Sequence, residues 1–365
     1  MQYKFLIYIS YSYSLPIGDP LEEEIKKRGY TVKWFGDTKE GKNALQHKTN
    51  VLNTIEEVIT YDPHVILTAT NVVPDFLKGL KVQVFHGFDA MKRNRPGKLD
   101  YDHFNIRSLF DLYCTQGPHS TSIFKSLSKK VDHFEVIETG FGKVDGLFPI
   151  KPTPKKEIPT VFIASTFTKK ISLALNDAVY KEIKRLSKTG KFNFSMVLHP
   201  KLSLEIKNKW KALNNKHFKF HDTTYLIPLM KEAEIMFSDT TSAIQEFGLQ
   251  GKLIVTFNHH APKPFLINIT EVSQIEKSLE FALTHPENIL NELASYNNDM
   301  HPYFDGKSSE RIIQTTIDFL HKNKSYLKNK PLNLIRKYKI RKRLNYFTLK
   351  SYNKPFTIEL KNNDG

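Results

Sequence analysis

The chain has 365 residues, more than a usual single domain, and 40% of them are hydrophobic, ample for two packed cores. A formal net charge of +16 implies an anionic partner, whether a phosphorylated substrate, an acidic membrane surface or nucleic acid. The single cysteine, Cys114, excludes an internal disulfide, and no run approaches the roughly 20 apolar residues of a membrane-crossing helix. A cytoplasmic protein is expected, with peripheral attachment at the inner face of the cell membrane left open.

The apolar run 5–9 reads as a first core strand, followed by a Ser/Tyr/Pro loop over 10–20 and a helix over 21–28 that Gly29 closes. Residues 30–35 alternate as a second strand, with Val32 and Trp34 on one face. The pattern continues with a helix over 51–60 and strands at 65–68, 82–85 and 112–114. A helix at 119–128 and a strand at 135–137 complete it. Short-jointed strand–helix–strand units make a parallel α/β sheet, whose ligands bind beyond the carboxyl ends of the strands. His86-Gly87, Gln116-Gly117 and Thr139-Gly140 all fall on that edge. His86 suits a general base near neutral pH, and Gly87 permits a tight turn behind it. Lys92, Arg93, Arg95 and Lys98 follow as a solvated basic loop. Cys114, beside Leu112-Tyr113, reads as a small buried hydrophobe.

Pro149, Pro152, Pro154 and Pro159 mark a stiff linker over 150–159, dividing a first domain, 1–149, from a second, 160–323. The second repeats the alternation. Strand 160–164 is followed by a helix over 173–187 and by strand 194–198, which ends in His199-Pro200. Strand 218–220 and a helix near 227–231 come next. A short buried strand, 234–237, then delivers Ser238-Asp239-Thr240-Thr241-Ser242-Ala243-Ile244-Gln245-Glu246, a hydroxyl-rich turn opening on a helix. Such a turn offers backbone N–H groups and hydroxyls to an anion, although Asp239 or Thr240 could equally serve as a plain helix cap. His259-His260 lacks the spaced companions of a metal site. Near 303–311, Asp305-Gly306 forms a turn, Ser308 or Ser309 caps a helix over 312–320, and Lys307 and Arg311 are candidates for touching phosphate.

The tail, 324–365, is basic and amphipathic over 324–350, where lysines and arginines interleave with Leu332, Leu334, Ile335, Tyr338, Ile340, Leu344 and Phe347. Two readings stand side by side: a helix lying on an anionic membrane surface, or one crossing back onto the first domain. No nucleic-acid module accompanies it, so nucleic acid is not the expected partner.

Taken together, these residues resemble the CDP-glycerol glycerophosphotransferase family of teichoic-acid and capsule polymerases, and more loosely the non-hydrolysing UDP-N-acetylglucosamine 2-epimerases. The shared marks are His86-Gly87, Thr139-Gly140 with Asp145, His199-Pro200, the stretch 239–246, and 305–311. They cover most of 80–320. Spacing favours the transferases: four residues, Thr240-Thr241-Ser242-Ala243, separate Asp239 from Ile244-Gln245-Glu246, whereas the epimerase pattern is one residue shorter and glycine-rich. Departures lie at 140–145 and after Gly87, where the family's proline is missing.

The resemblance implies an α/β fold of the GT-B type. In it two Rossmann-like domains face a central cleft, the first for acceptor and the second for the nucleotide donor, with the basic helical tail appended. It implies an enzyme moving an alditol phosphate from a CDP-alditol, glycerol first among the polyols, to a hydroxyl of a cell-surface polymer or lipid-linked acceptor. No metal or other cofactor is required. His86 and His199 would be catalytic. Asp239, Thr240, Thr241, Ser242, Glu246, Lys307 and Arg311 would bind nucleotide and phosphate, and Gly87, Gly140 and Asp145 would line the cleft. An epimerase-like isomerase or other glycosyltransferase, and a catalytically silent nucleotide-binding scaffold, are the rival expectations.

Overall fold

In the computed structural model, which describes residues 2–89, 103–151 and 156–358, the named strands pair in parallel and form two sheets. The first sheet and its helices run β1 (Lys4–Ile9), α1 (Leu15–Lys27), β2 (Thr31–Gly36), α2 (Lys39–Ala44), β3 (Val51–Leu52), α3 (Ile55–Tyr61), β4 (Val65–Thr68), β5 (Leu80–Gln83), β6 (Leu112–Thr115), α4 (Pro118–Val131) and β7 (Glu135–Glu138). The second runs β8 (Thr160–Ser165), α5 (Asp177–Leu186), β9 (Asn193–Leu198), α6 (Leu204–Lys211), β10 (Phe218–His221), α7 (Ile227–Glu232), β11 (Ile235–Ser238), α8 (Ala243–Gly248), β12 (Ile254–Phe257), β13 (Leu266–Ile269), α9 (Ile275–Ala282) and α10 (Glu287–Met300). Helices α11 (Ser308–His321) and α12 (Leu334–Leu344) follow.

The strand orders are β3-β2-β1-β4-β5-β6-β7 and β10-β9-β8-β11-β12-β13. Both reverse direction of growth once, between β1 and β4 and between β8 and β11, and in open α/β sheets ligands settle at the carboxyl side of that reversal. The central strands are buried along almost their whole length, as β1 and β8 illustrate, because helices cover both faces of a parallel sheet.

Several local expectations give way to packing. Helix α1 begins at Leu15 rather than 21, since Pro16 occupies the first turn, where its missing N–H costs nothing. Gly18 inside that helix lets Trp34 approach: a Cβ there would stand 2.2 Å from the indole. The helix expected over 51–60 splits into β3, at the sheet edge, and α3, whose Thr54 cap accepts from Glu57 N–H at 3.2 Å. The helix expected over 173–187 becomes a short 3-10 turn at Leu173–Leu175 followed by α5, capped by Asn176. Lys92, Arg93, Arg95, Lys98, Pro152 and Pro154 lie outside the described residues.

The chain forms two compact units. One gathers the described residues of Met1–His86, Phe104–Asp145 and Met300–Gly365, the other those of Gly87–His103 and Gly146–Asp299. The segment from 300 onward therefore belongs with the first sheet, not with the second domain proposed over 160–323. Lys156 pairs with Glu234 at 3.1 Å, and the same carboxylate accepts from Thr160 N–H at 2.6 Å. Each unit has its own core, around Tyr8, Phe35, Phe110, Tyr113 and Phe124 in the first and Phe194, Met196, Trp210 and Phe237 in the second.

The tail packs on the first unit. Ile340 is buried in that unit's core, Lys330 pairs with the buried Asp111, and Arg341 grips Asp75 through two bonds of 2.6 and 3.1 Å. Arg343 reaches Asp37 at 3.0 Å. Among the described residues no helix is long and apolar enough to cross a membrane.

Candidate functional site

In the first unit the carboxyl edge of β5 carries His86. Phe85, immediately before it, has φ of 61°, a left-handed conformation that a bulky residue adopts only when its surroundings impose it. Those surroundings are visible. The Phe85 ring is buried among Tyr113 and Phe124, and its N–H donates to Gln83 Oε1 at 3.2 Å. Gln83 is itself held, its amide donating to Thr70 O at 3.0 Å and Asn71 Oδ1 at 3.1 Å. The corner turns the next residue outward: His86 is exposed, with the ring of Tyr13 5.7 Å from its own and Tyr11 stacked on Tyr13 at 5.4 Å. Sequence reasoning expected His86 on this edge, where the structure places it, and did not single out Gln83 or Tyr13. The available signal was Tyr13's place in the loop after β1, at the strand-order reversal.

A second cluster of the first unit gathers the 139–145 and 301–311 segments. Asp145 lies at the start of α11, accepting from Ser308 N–H at 2.8 Å and Ser309 N–H at 2.7 Å. Burial nonetheless raises its carboxyl above the usual range. Gly140 has φ of +85°, and a Cβ on it would meet Ser308 Oγ at 2.4 Å, so only glycine lets the loop lie on the helix. Arg311 is engaged inside the unit. It donates to Thr139 O at 2.9 Å and to Asp305 at 2.8 and 3.1 Å, and it lies over the Tyr303 ring at 4.2 Å. His301, fully buried, accepts from Phe141 N–H at 3.1 Å, and burial with the nearby Arg311 charge brings its pKa down to about 4. Lys307 is exposed on the adjoining turn. His301 and Tyr303 had no spacing that singled them out.

In the second unit Asp239 follows β11 at the strand-order reversal and is fully buried. Its carboxylate accepts from Ser165 Oγ at 2.6 Å, Thr166 N–H at 2.9 Å and Leu173 N–H at 2.9 Å, so it ties the loop after β8 to β11. Thr240, also buried, accepts from His260 N–H at 2.9 Å and ties the loop after β12. Thr241 and Ser242 are partly exposed at the start of α8, while Glu246 within it is buried. With six residues α8 is too short for a full macrodipole, so any anion here would rely on N–H groups and hydroxyls. The backbone of 87–89 lies on this helix: a Cβ on Gly87 would be 3.3 Å from Ser242 Oγ, and Gln245 donates to Asp89 O at 3.2 Å. His199 ends β9, its ring 4.5 Å from that of Phe167 and its Nδ1 accepting from Lys201 N–H at 3.1 Å. The hydroxyl of Thr166 is buried at the same edge with no hydrogen-bond partner among the described residues. Cys114 is buried, and burial pushes its thiol up to about 12, in keeping with a small buried hydrophobe.

No family profile matches this chain, and no curated protein does. Solved structures do. A variant of the wall teichoic acid polymerase TagF superposes with a TM-score of 0.64 at 13% identity, covering 87% of this chain and 89% of that one. The MnaA–UDP complex of S. aureus gives a TM-score of 0.58 at 15% identity, over 90% and 99%. UDP-GlcNAc 2-epimerase from Neisseria meningitidis, bound to UDP-GlcNAc, gives 0.55 at 16% identity, over 86% and 100%. The fold is therefore the GT-B type, two Rossmann-like α/β units, as the motifs led one to expect.

Proposed function

We propose that the protein is a glycerophosphotransferase-like enzyme, moving an alditol phosphate, glycerol phosphate first, from a CDP-alditol to a hydroxyl of a cell-surface polymer or lipid-linked acceptor. The observation that carries this reading is the His86-Gly87 corner. An exposed imidazole follows a phenylalanine held at positive φ, and the glycine after it lies against Ser242. Strain of this kind concentrates at functional sites.

In the proposed reaction His86 takes the proton of the acceptor hydroxyl as its oxygen attacks the phosphorus bearing the alditol. The bond to the bridging oxygen breaks, and CMP leaves with the electron pair. His199, Thr241, Ser242 and the buried Thr166 hydroxyl would hold the diphosphate and the departing charge. Glu246 would accept from the ribose hydroxyls, and Lys307 would contact phosphate. Asp239, Thr240, Asp145, Gly140 and Arg311, whose groups are engaged within their own units, would position these rather than touch substrate. Phosphoryl transfer is mostly positioning and charge stabilisation, so cations and N–H groups can serve without a metal. In this reading the enzyme works in the cytoplasm, at the inner face of the cell membrane.

Incubating the protein with CDP-glycerol, CDP-ribitol or UDP-N-acetylglucosamine and candidate acceptors, followed by phosphorus NMR, tests this. Acceptor-dependent CMP release supports transfer. An epimerised sugar would replace it with the isomerase reading, which the Gln245-Glu246 pair favours, and binding without turnover would leave a nucleotide-binding scaffold.

A further inference from the structure

The two sides of α12 are unlike. Its inner side, Lys337, Ile340 and Arg341, is fixed to the first unit, with Lys330 and Arg343 adding ion pairs to Asp111 and Asp37. Its outer side is apolar and cationic. Ile335 is 75% exposed, Leu334 68% and Tyr338 56%, and the Tyr338 ring lies 6.3 Å from that of Phe347, itself 63% exposed. Lys339 and Lys342, exposed on the same side as Ile335 by helical spacing, supply charge. No acidic residue occurs anywhere from Phe319 to Ile358.

We infer that this outer face docks the protein on an anionic lipid bilayer. Aliphatic and aromatic side chains held out in water by a fixed helix gain by entering the headgroup boundary, and lysines beside them meet the negative surface. Charge complementarity selects an anionic surface over a neutral one. Nucleic acid would use the lysines but leave Leu334 and Ile335 in water, since phosphodiesters offer them nothing. The inference does not depend on the transferase reading. The inner face accounts for the ion pairs of the tail, and the outer face accounts for side chains that the fold leaves uncovered.

Flotation of the full-length protein with vesicles of phosphatidylcholine alone or mixed with phosphatidylglycerol tests it without any turnover. Binding to the anionic vesicles, weakened by salt, is expected. A Lys339→Glu/Lys342→Glu pair should lower partitioning by at least ~10-fold, from roughly fivefold per basic residue near an anionic surface. Ile335→Ser/Tyr338→Ser should lower it similarly, with an unchanged thermal midpoint in both variants. Indifference of the wild type to anionic vesicles, equal binding by the variants, or binding of single-stranded RNA in place of vesicles would each overturn it.

Discussion

Asp111 and Lys330 form an ion pair in the interior of the first unit, although 219 residues separate them in the chain. Asp111 also accepts from the backbone N–H of Lys81 at 2.8 Å. The Lys81 side chain is itself buried, and burial brings its pKa down to about 7. The basic tail is thus part of the core's electrostatics. Removing one member of a buried pair strands the other charge in a low-dielectric setting, which costs about 3–5 kcal/mol. Asp111→Ala should lose that much in urea denaturation. A double variant that also carries Lys330→Met should recover part of it, because the two residues are coupled. Additive losses would contradict the pairing.

Asp239 is expected to behave as a structural carboxylate. Asp239→Ala leaves the hydroxyl of Ser165 and the N–H groups of Thr166 and Leu173 without their acceptor, at about 1–3 kcal/mol for each buried orphan. Chemical denaturation should register a loss of about 3 kcal/mol or more even with no nucleotide present. A variant as stable as the wild type would return Asp239 to direct ligand binding.

His301 should make the fold acid-sensitive. From its ordinary value of 6.5 down to about 4, the unfolded chain binds the imidazole proton and the folded one does not. Stability therefore rises with pH through that window, is complete above it, and is lost on acidification, by on the order of 3 kcal/mol at the lower end. Urea midpoints from pH 7 to pH 4 should fall more steeply for the wild type than for His301→Gln, which keeps an acceptor but does not titrate.

His86→Ala should abolish transfer while CDP-glycerol binding survives, since the imidazole is assigned to the acceptor proton. Isothermal titration beside a CMP-release assay separates the two effects. Full activity in the variant would remove His86 from the mechanism.

How much of this was legible beforehand depended on distance along the chain. Strands such as Lys4–Ile9 and Ile235–Ser238 announce themselves as apolar runs, because burial on both faces of a sheet demands them. The residues that end such strands, His86, His199 and Asp239, follow from that alone, and the GT-B type was implied by the family resemblance that their motifs carry. The partners of those residues were not legible. Nothing local in Gln83 says that its amide will buttress Phe85, and nothing near Arg311 says that Asp305, Thr139 and Tyr303 will occupy its guanidinium.

The sequence by itself determined two α/β sheets and which side chains stand at their carboxyl edges, because periodicity and turn residues act over a few neighbours. Only the tertiary structure decided which of those side chains are occupied internally and where the tail lies. An ion pair such as Asp75–Arg341, or the burial of Ile340, depends on chain segments brought together by the fold, and composition cannot specify which carboxylate a given cation will meet.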